Sequence, residues 1–174
     1  MVTNLDRAGV VARNVQLESV AMRSASVHSA VDPLAQPPVL RVEQGYRAGY
    51  ELPELHPDHL VVRVEFQLSA APQEGTDGDA DVVTLHAEFL LVYALPDAGA
   101  QPADALEHFA ELNGPYNAWP YWRELVQTVT GRVGLSAIVV PVFRPPVRKL
   151  DVEVPEPTPA PRSRPRAPRK KAAS

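Results

Sequence analysis

The chain has 174 residues and a formal net charge of −4, and it contains no cysteine. This length suits one compact domain with tails, and the lack of cysteine excludes a disulfide framework, a thiolate nucleophile and a thiolate metal site. Residues 1–154 hold 20 acidic and 11 basic side chains (−9), whereas residues 155–174 hold six basic and one acidic (+5). Any affinity for nucleic acid would therefore come from the tail.

The cellular location is suggested by what the sequence lacks. The N-terminal segment has no charged stretch followed by an apolar run, which argues against a secretory signal. No apolar stretch approaches the roughly 20 residues that span a bilayer. We therefore expect a cytoplasmic protein.

The first third of the chain predicts a short helix and two strands. Residues 4–13 suit a short helix with Asn4 as its N-cap, within an N-terminal arm of residues 1–13. Residues 15–31 alternate imperfectly between apolar and polar, and the change of phase indicates a β-bulge. Residues 39–50 form the second predicted strand.

Two clearer strands follow. Residues 59–71 place Leu60, Val62 and Val64 on one face, which is the period-2 pattern of a sheet with one covered face. Residues 81–95 form the fourth strand and end in a continuous apolar run from Phe89, which predicts that both faces are covered at that end.

The period then changes to that of a helix. Residues 102–112 predict one helix that stops at Asn113-Gly114, and residues 119–132 predict a second that starts at Trp119-Pro120. Strands followed by helices indicate an α+β fold, a four-stranded antiparallel sheet with two helices packed on one face. We assign residues 14–144 to this domain and expect the thin core to favour oligomers.

The tail, residues 145–174, is rich in proline and arginine. Six prolines between Pro155 and Pro168 exclude helix and central strand, and this composition predicts a disordered segment. Its basic end is most simply a solubilising tail. Contact with nucleic acid, an anionic lipid surface or an acidic protein is the alternative.

The chain contains residue types that are typical of catalysis or metal binding, but their spacing matches no known catalytic or metal-binding motif. His56 and His59 are spaced for a metal but lack a third ligand at suitable spacing. Asp77, Asp79 and Asp81 sit in a loop without the glycine and terminal glutamate of an EF-hand. We predict no enzyme, no metal site and no cofactor.

Four aromatic side chains between residues 116 and 122 need an apolar cover, which could be the core, a partner subunit or a bound chain. The sequence is compatible with each of these three covers. The candidate residues for an apolar ligand surface are Phe89, Val92, Tyr93, Tyr116, Trp119 and Trp122.

The segment Trp119-Pro120-Tyr121-Trp122-Arg123-Glu124 and the later Ile138-Val139-Val140-Pro141-Val142 resemble the C-terminal signature of the SecB family of export chaperones. The matching motif residues are Pro120, Tyr121, Arg123 and Glu124. The order of the predicted strands and of the first long helix extends the resemblance to about residues 14–143.

The resemblance implies a SecB-like fold and a homotetramer built as a dimer of dimers. It also implies ATP-independent binding of unfolded polypeptides or preproteins in apolar grooves, for protein export through the SecA motor. Such grooves tolerate varied sequences because apolar contacts and strand-edge hydrogen bonds need no particular side chain.

Three departures distinguish this chain from the family. The acidic positions that dock SecA align with Ser24, His28 and Leu85 here, so that patch is not retained. A Pro-Arg tail replaces the C-terminal helix of the family, and Trp122 stands where the family has a small residue. The alternative function is therefore a dedicated chaperone or adaptor for one client, such as an antitoxin, without SecA-dependent export.

Overall fold

The computed structural model describes residues 4–32, 34–35, 39–73 and 80–144. Within them the chain forms a short helix, four strands, a single 3-10 turn and a long helix: α1 (Asn4–Ala12), β1 (Gln16–Ser29), β2 (Leu40–Glu51), β3 (His59–Pro72), β4 (Val83–Ala94), the 3-10 turn Ala98–Ala100 and α2 (Ala103–Arg132). The four predicted strands are confirmed with small shifts at their ends. The predicted basic tail, residues 145–174, lies outside the described residues.

The four strands form one antiparallel sheet in the order β1-β4-β3-β2. Consecutive strands β1 and β2 therefore occupy opposite edges, while β3 and β4 lie in the centre. The register of β1 against β4 shifts between Leu17 and Ser19 and again between Met22 and Ser24. These shifts confirm the predicted irregularity in β1, and irregularities of this kind are common at sheet edges.

The central strands alternate sharply between the two faces. On β3 every second residue from Leu60 to Ala70 is buried, and on β4 every second residue from Val83 to Tyr93. These side chains form the core with α2. Period-2 burial is what the alternating sequence of β3 predicted.

The opposite face of the sheet carries charge. Glu65 pairs with Arg47 at 2.5 Å, and Arg63 pairs with Glu88 at 3.0 Å and also contacts Glu51. Exposed pairs of this kind contribute little to stability. They nevertheless identify this face as the wetter of the two.

The apolar run at the end of β4 is covered on one face only. Its outward members Leu90 and Val92 are half-buried, whereas Phe89 and Leu91 on the inner face are buried. The prediction that both faces are covered there is therefore only partly correct. Neighbouring strands supply the partial cover, and no described helix packs on the outer face.

A single helix replaces the two that the sequence predicted. α2 runs unbroken for 30 residues, about 45 Å at the usual rise per residue, with Pro115 and Pro120 inside it. Each proline removes one helical hydrogen bond. Gly114 does not end the helix; it brings the helix close to the sheet, because a Cβ there would lie 2.6 Å from Val62 Cγ1. Packing of one face of α2 on the sheet offsets the missing bonds.

Two further segments, α1 and residues 135–143, lie outside the sheet and α2. α1 packs against α2 and contributes the fully buried Val11 to the core. Residues 135–143 extend without regular secondary structure after α2. In the described part of the chain, no helix is both long and apolar enough to cross a membrane.

Candidate functional site

A groove lined mainly by apolar side chains lies beside the edge strand β2. Its walls are the start of β2 (Val39, Leu40, Val42 and Gln44) on one side and residues 135–141 on the other, and its volume is about 680 Å³. This volume lies within the usual range of about 300–1,000 Å³ for ligand sites. Val42 and Val139 are 39% and 70% exposed, so the groove offers apolar surface to a partner.

Side chains of α2 hold residues 135–141 in place. Trp119 Nε1 donates to the Pro141 carbonyl at 2.7 Å, and Arg123 Nε donates to the Val140 carbonyl at 2.9 Å. The amide of Ile138 donates to Thr130 Oγ1 at 3.1 Å. Among the described residues, no backbone hydrogen bond joins this segment to β2. The segment is therefore one wall of the groove without being a fifth strand.

β2 keeps one side of its backbone free of strand partners. Among the residues that the structure describes it pairs with β3 only, and it stands last in the order of the sheet. Unpaired N–H and C=O groups on an edge strand can accept an added strand from another chain. The groove therefore offers backbone hydrogen bonding as well as apolar contact.

A cluster of aromatic rings adjoins the end of this groove. Phe66 lies at its centre, stacked on Trp122 with ring centroids 5.2 Å apart and edge-on to Trp119 at 5.7 Å. Phe143 lies 5.1 Å from Trp119 and 5.7 Å from Tyr46. These tilted ring contacts hold residue 143 against β2, and aromatic pairs stabilise by about 0.5–1.5 kcal/mol each beyond the area that they bury.

Two tyrosines at the edge of this cluster are exposed to solvent. Tyr46 is 40% exposed and Tyr116 is 61% exposed, and both rings lie within 6.3 Å of Phe143. Burial raises the pKa of the Tyr46 phenol, and the Glu111 carboxylate raises it further. Both effects keep this hydroxyl neutral, which suits an apolar partner.

The structure separates the six candidate residues for a ligand surface. Phe89, Tyr93 and Trp122 are buried in the core between the sheet and α2. Their burial does not fit the expectation that they line an accessible groove, because α2 already covers them. Burial also raises the pKa of the Tyr93 phenol, while the hydrogen bond from Asn117 lowers it.

The other three candidates lie in different places. Val92 is on the outer face of β4, remote from the groove. Trp119 is 9% exposed and supports the segment that walls the groove. Only Tyr116 among the six is widely exposed.

The four motif residues occupy the middle of α2. Arg123 is the member with a clear structural role, since its guanidinium binds the Val140 carbonyl. Glu124 accepts a hydrogen bond from Thr128, and Tyr121 is 48% exposed with its ring 6.4 Å from Phe89. Pro120 lies inside α2 instead of starting a helix, which corrects the sequence prediction.

Sequence analysis missed three residues here: Val42 in the groove, and Tyr46 and Phe143 in the aromatic cluster beside it. The period-2 alternation of β2 was a usable signal for Val42 and Tyr46. It places both side chains on the same face of the strand, which is the face that α2 covers. Phe143 carried no local signal, because its contact with Tyr46 spans nearly 100 residues of sequence.

Three positions align with the acidic SecA-docking surface of the SecB family, and they lie on different faces of the sheet. Ser24 and His28 lie on the outer face of β1, paired with Glu88 and Thr84 of β4. Leu85 is fully buried on the inner face, so that part of the alignment is wrong: a core position cannot dock a partner. Glu88 is the acid nearest to Ser24, and it pairs with arginines.

Comparison with known proteins identifies the architecture. No family model and no curated protein sequence matches the chain. Among solved structures, it is similar to the Mycobacterium tuberculosis Rv1957 SecB-like chaperone in complex with a ChAD peptide from the Rv1956 HigA1 antitoxin, with a TM-score of 0.67 and 20% identity. The match covers 81% of this chain and 99% of that chain. The fold is SecB-like.

The SecB-like fold confirms the predicted fold class and the structural part of the resemblance. In the described residues, no group of three or more His, Asp or Glu is placed to hold a metal ion. The groove offers apolar side chains and, among the described residues, a strand edge without a second partner; the adjoining cluster adds aromatic rings. These are non-covalent means of holding an extended chain.

Proposed function

We propose that this protein is an ATP-independent holdase that binds extended, non-native polypeptide segments. The observation that carries the proposal is the apolar groove between the free edge of β2 and residues 135–141. An extended client segment there would bond to the β2 edge and place alternate side chains against Val42 and Val139. This mode of binding depends little on client sequence.

Two further observations support the proposal. The SecB-like chaperone with the same fold was solved with a bound peptide, so the fold is compatible with peptide binding. The exposed rings of Tyr46 and Tyr116 extend the apolar surface beyond the groove. We propose Val42, Tyr46, Tyr116 and Val139 as client-contacting residues, with Trp119 positioning the wall.

The experiment is suppression of aggregation of a reduced, unfolded client at stoichiometric ratio without nucleotide. We expect the wild-type chain to suppress aggregation and Val42→Asp to lose most of the effect, because a carboxylate in an apolar contact costs several kcal/mol. Ser26→Asp on the exposed outer face of β1 is the matched control. Equal loss in both variants, or no suppression at severalfold excess of wild type, would refute the proposal.

A dedicated chaperone for one client is the second candidate. The neighbour's peptide comes from an antitoxin, which favours this candidate. The resemblance to the SecB family also implies that Ser24 and His28 stand at acidic positions that dock SecA there. The generic alternative is a chaperone that delivers many different preproteins for export. The range of clients that the protein binds distinguishes a dedicated chaperone from a generic one. A dedicated chaperone would bind one cognate segment tightly and leave generic unfolded chains to aggregate.

We also propose a homo-oligomer, a dimer of dimers as in the family. Leu17, Met22 and Val27 lie on the helix-side face of the edge strand β1 and are 39–53% exposed. Apolar side chains aligned on an edge strand are typical of a surface that a second subunit covers.

A further inference from the structure

We propose that residues 150–154 of the chain's own tail bind the β2 groove and compete there with clients; this deepens the proposed function and rests on it. The segment is Leu150-Asp151-Val152-Glu153-Val154. Its apolar and acidic residues alternate strictly, the period-2 pattern of a strand with one apolar face. No other part of the chain after residue 143 has this pattern. It therefore has the sequence character of a client segment.

The segment begins nine residues after the end of the groove wall. Residues 135–141 form that wall, and Phe143 contacts Tyr46 at the end of it. Residues 145–149 can span at most about 17 Å from Arg144, which would leave room for the chain to reverse direction over residues 147–149. The tail then enters the groove from the end where the described chain stops.

The lengths also match. A five-residue strand spans about 17 Å, and the groove wall from Val39 to Gln44 spans about 20 Å at the same rise. Residues 135–141 lie across the groove from Val39–Gln44, and Phe143 contacts Tyr46 farther along both segments. Residues 135–143 therefore run in the same direction as β2. A chain that reverses after residue 144 is therefore antiparallel to β2, the favourable direction for a short connection.

Apolar contact gives the tail its orientation. Leu150, Val152 and Val154 would face the side of β2 that carries Leu40 and Val42. Asp151 and Glu153 would then face the polar side of the sheet, in contact with water. No charge would be buried in this arrangement.

Tethering makes even weak binding effective. A short link that spans the distance between its two ends gives an effective concentration on the order of 1 mM. A tail segment with an intrinsic dissociation constant of about 0.1–1 mM would occupy the groove for half to nine-tenths of the time, and the apparent client affinity falls by the unoccupied fraction. Removing the apolar residues of the tail should therefore tighten client binding by about two- to tenfold.

The first test measures docking of the tail without any client. Because the chain has no cysteine, a single pair can be introduced: Val42→Cys with Val152→Cys. Oxidation should give an intramolecular disulfide, since facing residues on adjacent strands lie close enough to bridge. Val139→Cys with Val152→Cys gives a second pair on the opposite wall, should Val42→Cys disturb folding.

The control pair is Ser26→Cys with Val152→Cys, on the outer face at the opposite edge of the sheet. Equal cross-linking of control and groove pairs, or no cross-linking of either groove pair, would overturn the proposal. A disulfide between two chains would also overturn it, since the occupant would then be the tail of a second copy.

The second test uses a fluorescein-labelled reduced carboxymethylated α-lactalbumin as client. The triple variant Leu150→Ser, Val152→Ser and Val154→Ser should bind it about two- to tenfold more tightly than wild type. Arg162→Ser, Arg164→Ser and Arg166→Ser, which leave the apolar pattern intact, should not. Unchanged affinity in the first variant would refute competition by the tail. If the client binds neither chain while the groove pair still cross-links, the proposed function fails and docking of the tail stands.

Discussion

Gly114 shows how one residue without a side chain positions the longest helix. A Cβ there would lie 2.6 Å from Val62 Cγ1 and 3.1 Å from Val64 Cγ2. We predict that Gly114→Ala forces α2 away from β3 and lowers the free energy of unfolding by about 1–3 kcal/mol. Urea unfolding measures this change.

Gly131 supplies the control for that substitution. It lies in the last turn of the same helix, and a Cβ there would meet nothing within 4 Å. Gly131→Ala should leave stability unchanged or raise it by up to about 1 kcal/mol. Similar losses for both variants would show that contact with the sheet is not what requires glycine at position 114.

Trp122 and Tyr116 belong to the same aromatic run, but one is in the core and the other is on the surface. Trp122 is fully buried and stacks on Phe66, whereas Tyr116 is 61% exposed. We predict that Trp122→Ala costs about 3–5 kcal/mol of stability. Tyr116→Ala should change stability by less than about 0.5 kcal/mol but weaken binding of an unfolded client. Thermal unfolding and client titration on both variants check this, and a stable Trp122→Ala variant would contradict it.

At the scale of elements, the wall of the groove depends on α2. Thr130 is fully buried; its hydroxyl accepts the Ile138 amide and donates to the Val126 carbonyl. We predict that Thr130→Val, which keeps the shape, leaves the partly buried Ile138 amide unpaired at a cost of about 1–3 kcal/mol. Hydrogen exchange at residue 138 should accelerate.

Thr128 is the matched control on the same helix. Its hydroxyl donates to Glu124 at the exposed surface, one turn back along the helix. Thr128→Val should leave exchange at residue 138 unchanged. If both variants accelerate exchange equally, fraying of α2 rather than loss of the Thr130 contact would be the cause.

The long helix is also the element that sequence reasoning judged least well. Asn113-Gly114 and Pro120 are ordinary signals for the end and start of helices, yet α2 continues through them. Local preferences of this kind amount to about 1–3 kcal/mol each. Burial of one face of a 30-residue helix outweighs them, and no local signal reports that burial.

For the whole molecule, the uncovered side of β1 bears on assembly. Met22 and Val27 are 53% and 44% exposed on the helix-side face of this edge strand. We predict that Met22→Glu with Val27→Glu lowers the mass of the assembly in sedimentation velocity. Charges on an apolar interface oppose its burial.

The control for assembly is Ser24→Glu with Ser26→Glu, on the opposite face of the same strand. This pair adds the same charge without touching the apolar row. An assembly that both variants disrupt equally would implicate the strand edge or net charge. An assembly that neither disrupts would place the subunit contact elsewhere.

The sequence by itself determined the strands, the covered face of β3, the irregularity in β1 and the acidic body, because these follow from residue order along one element. It also indicated the SecB-like class through the order of elements and the motif around Pro120. Only the tertiary structure decided that β1 and β2 are opposite edges, that α2 is continuous, and that Trp122 is core while Tyr46 and Phe143 meet. Each of those outcomes depends on contacts between residues far apart in sequence, whose free energy exceeds the local preferences that a single segment expresses.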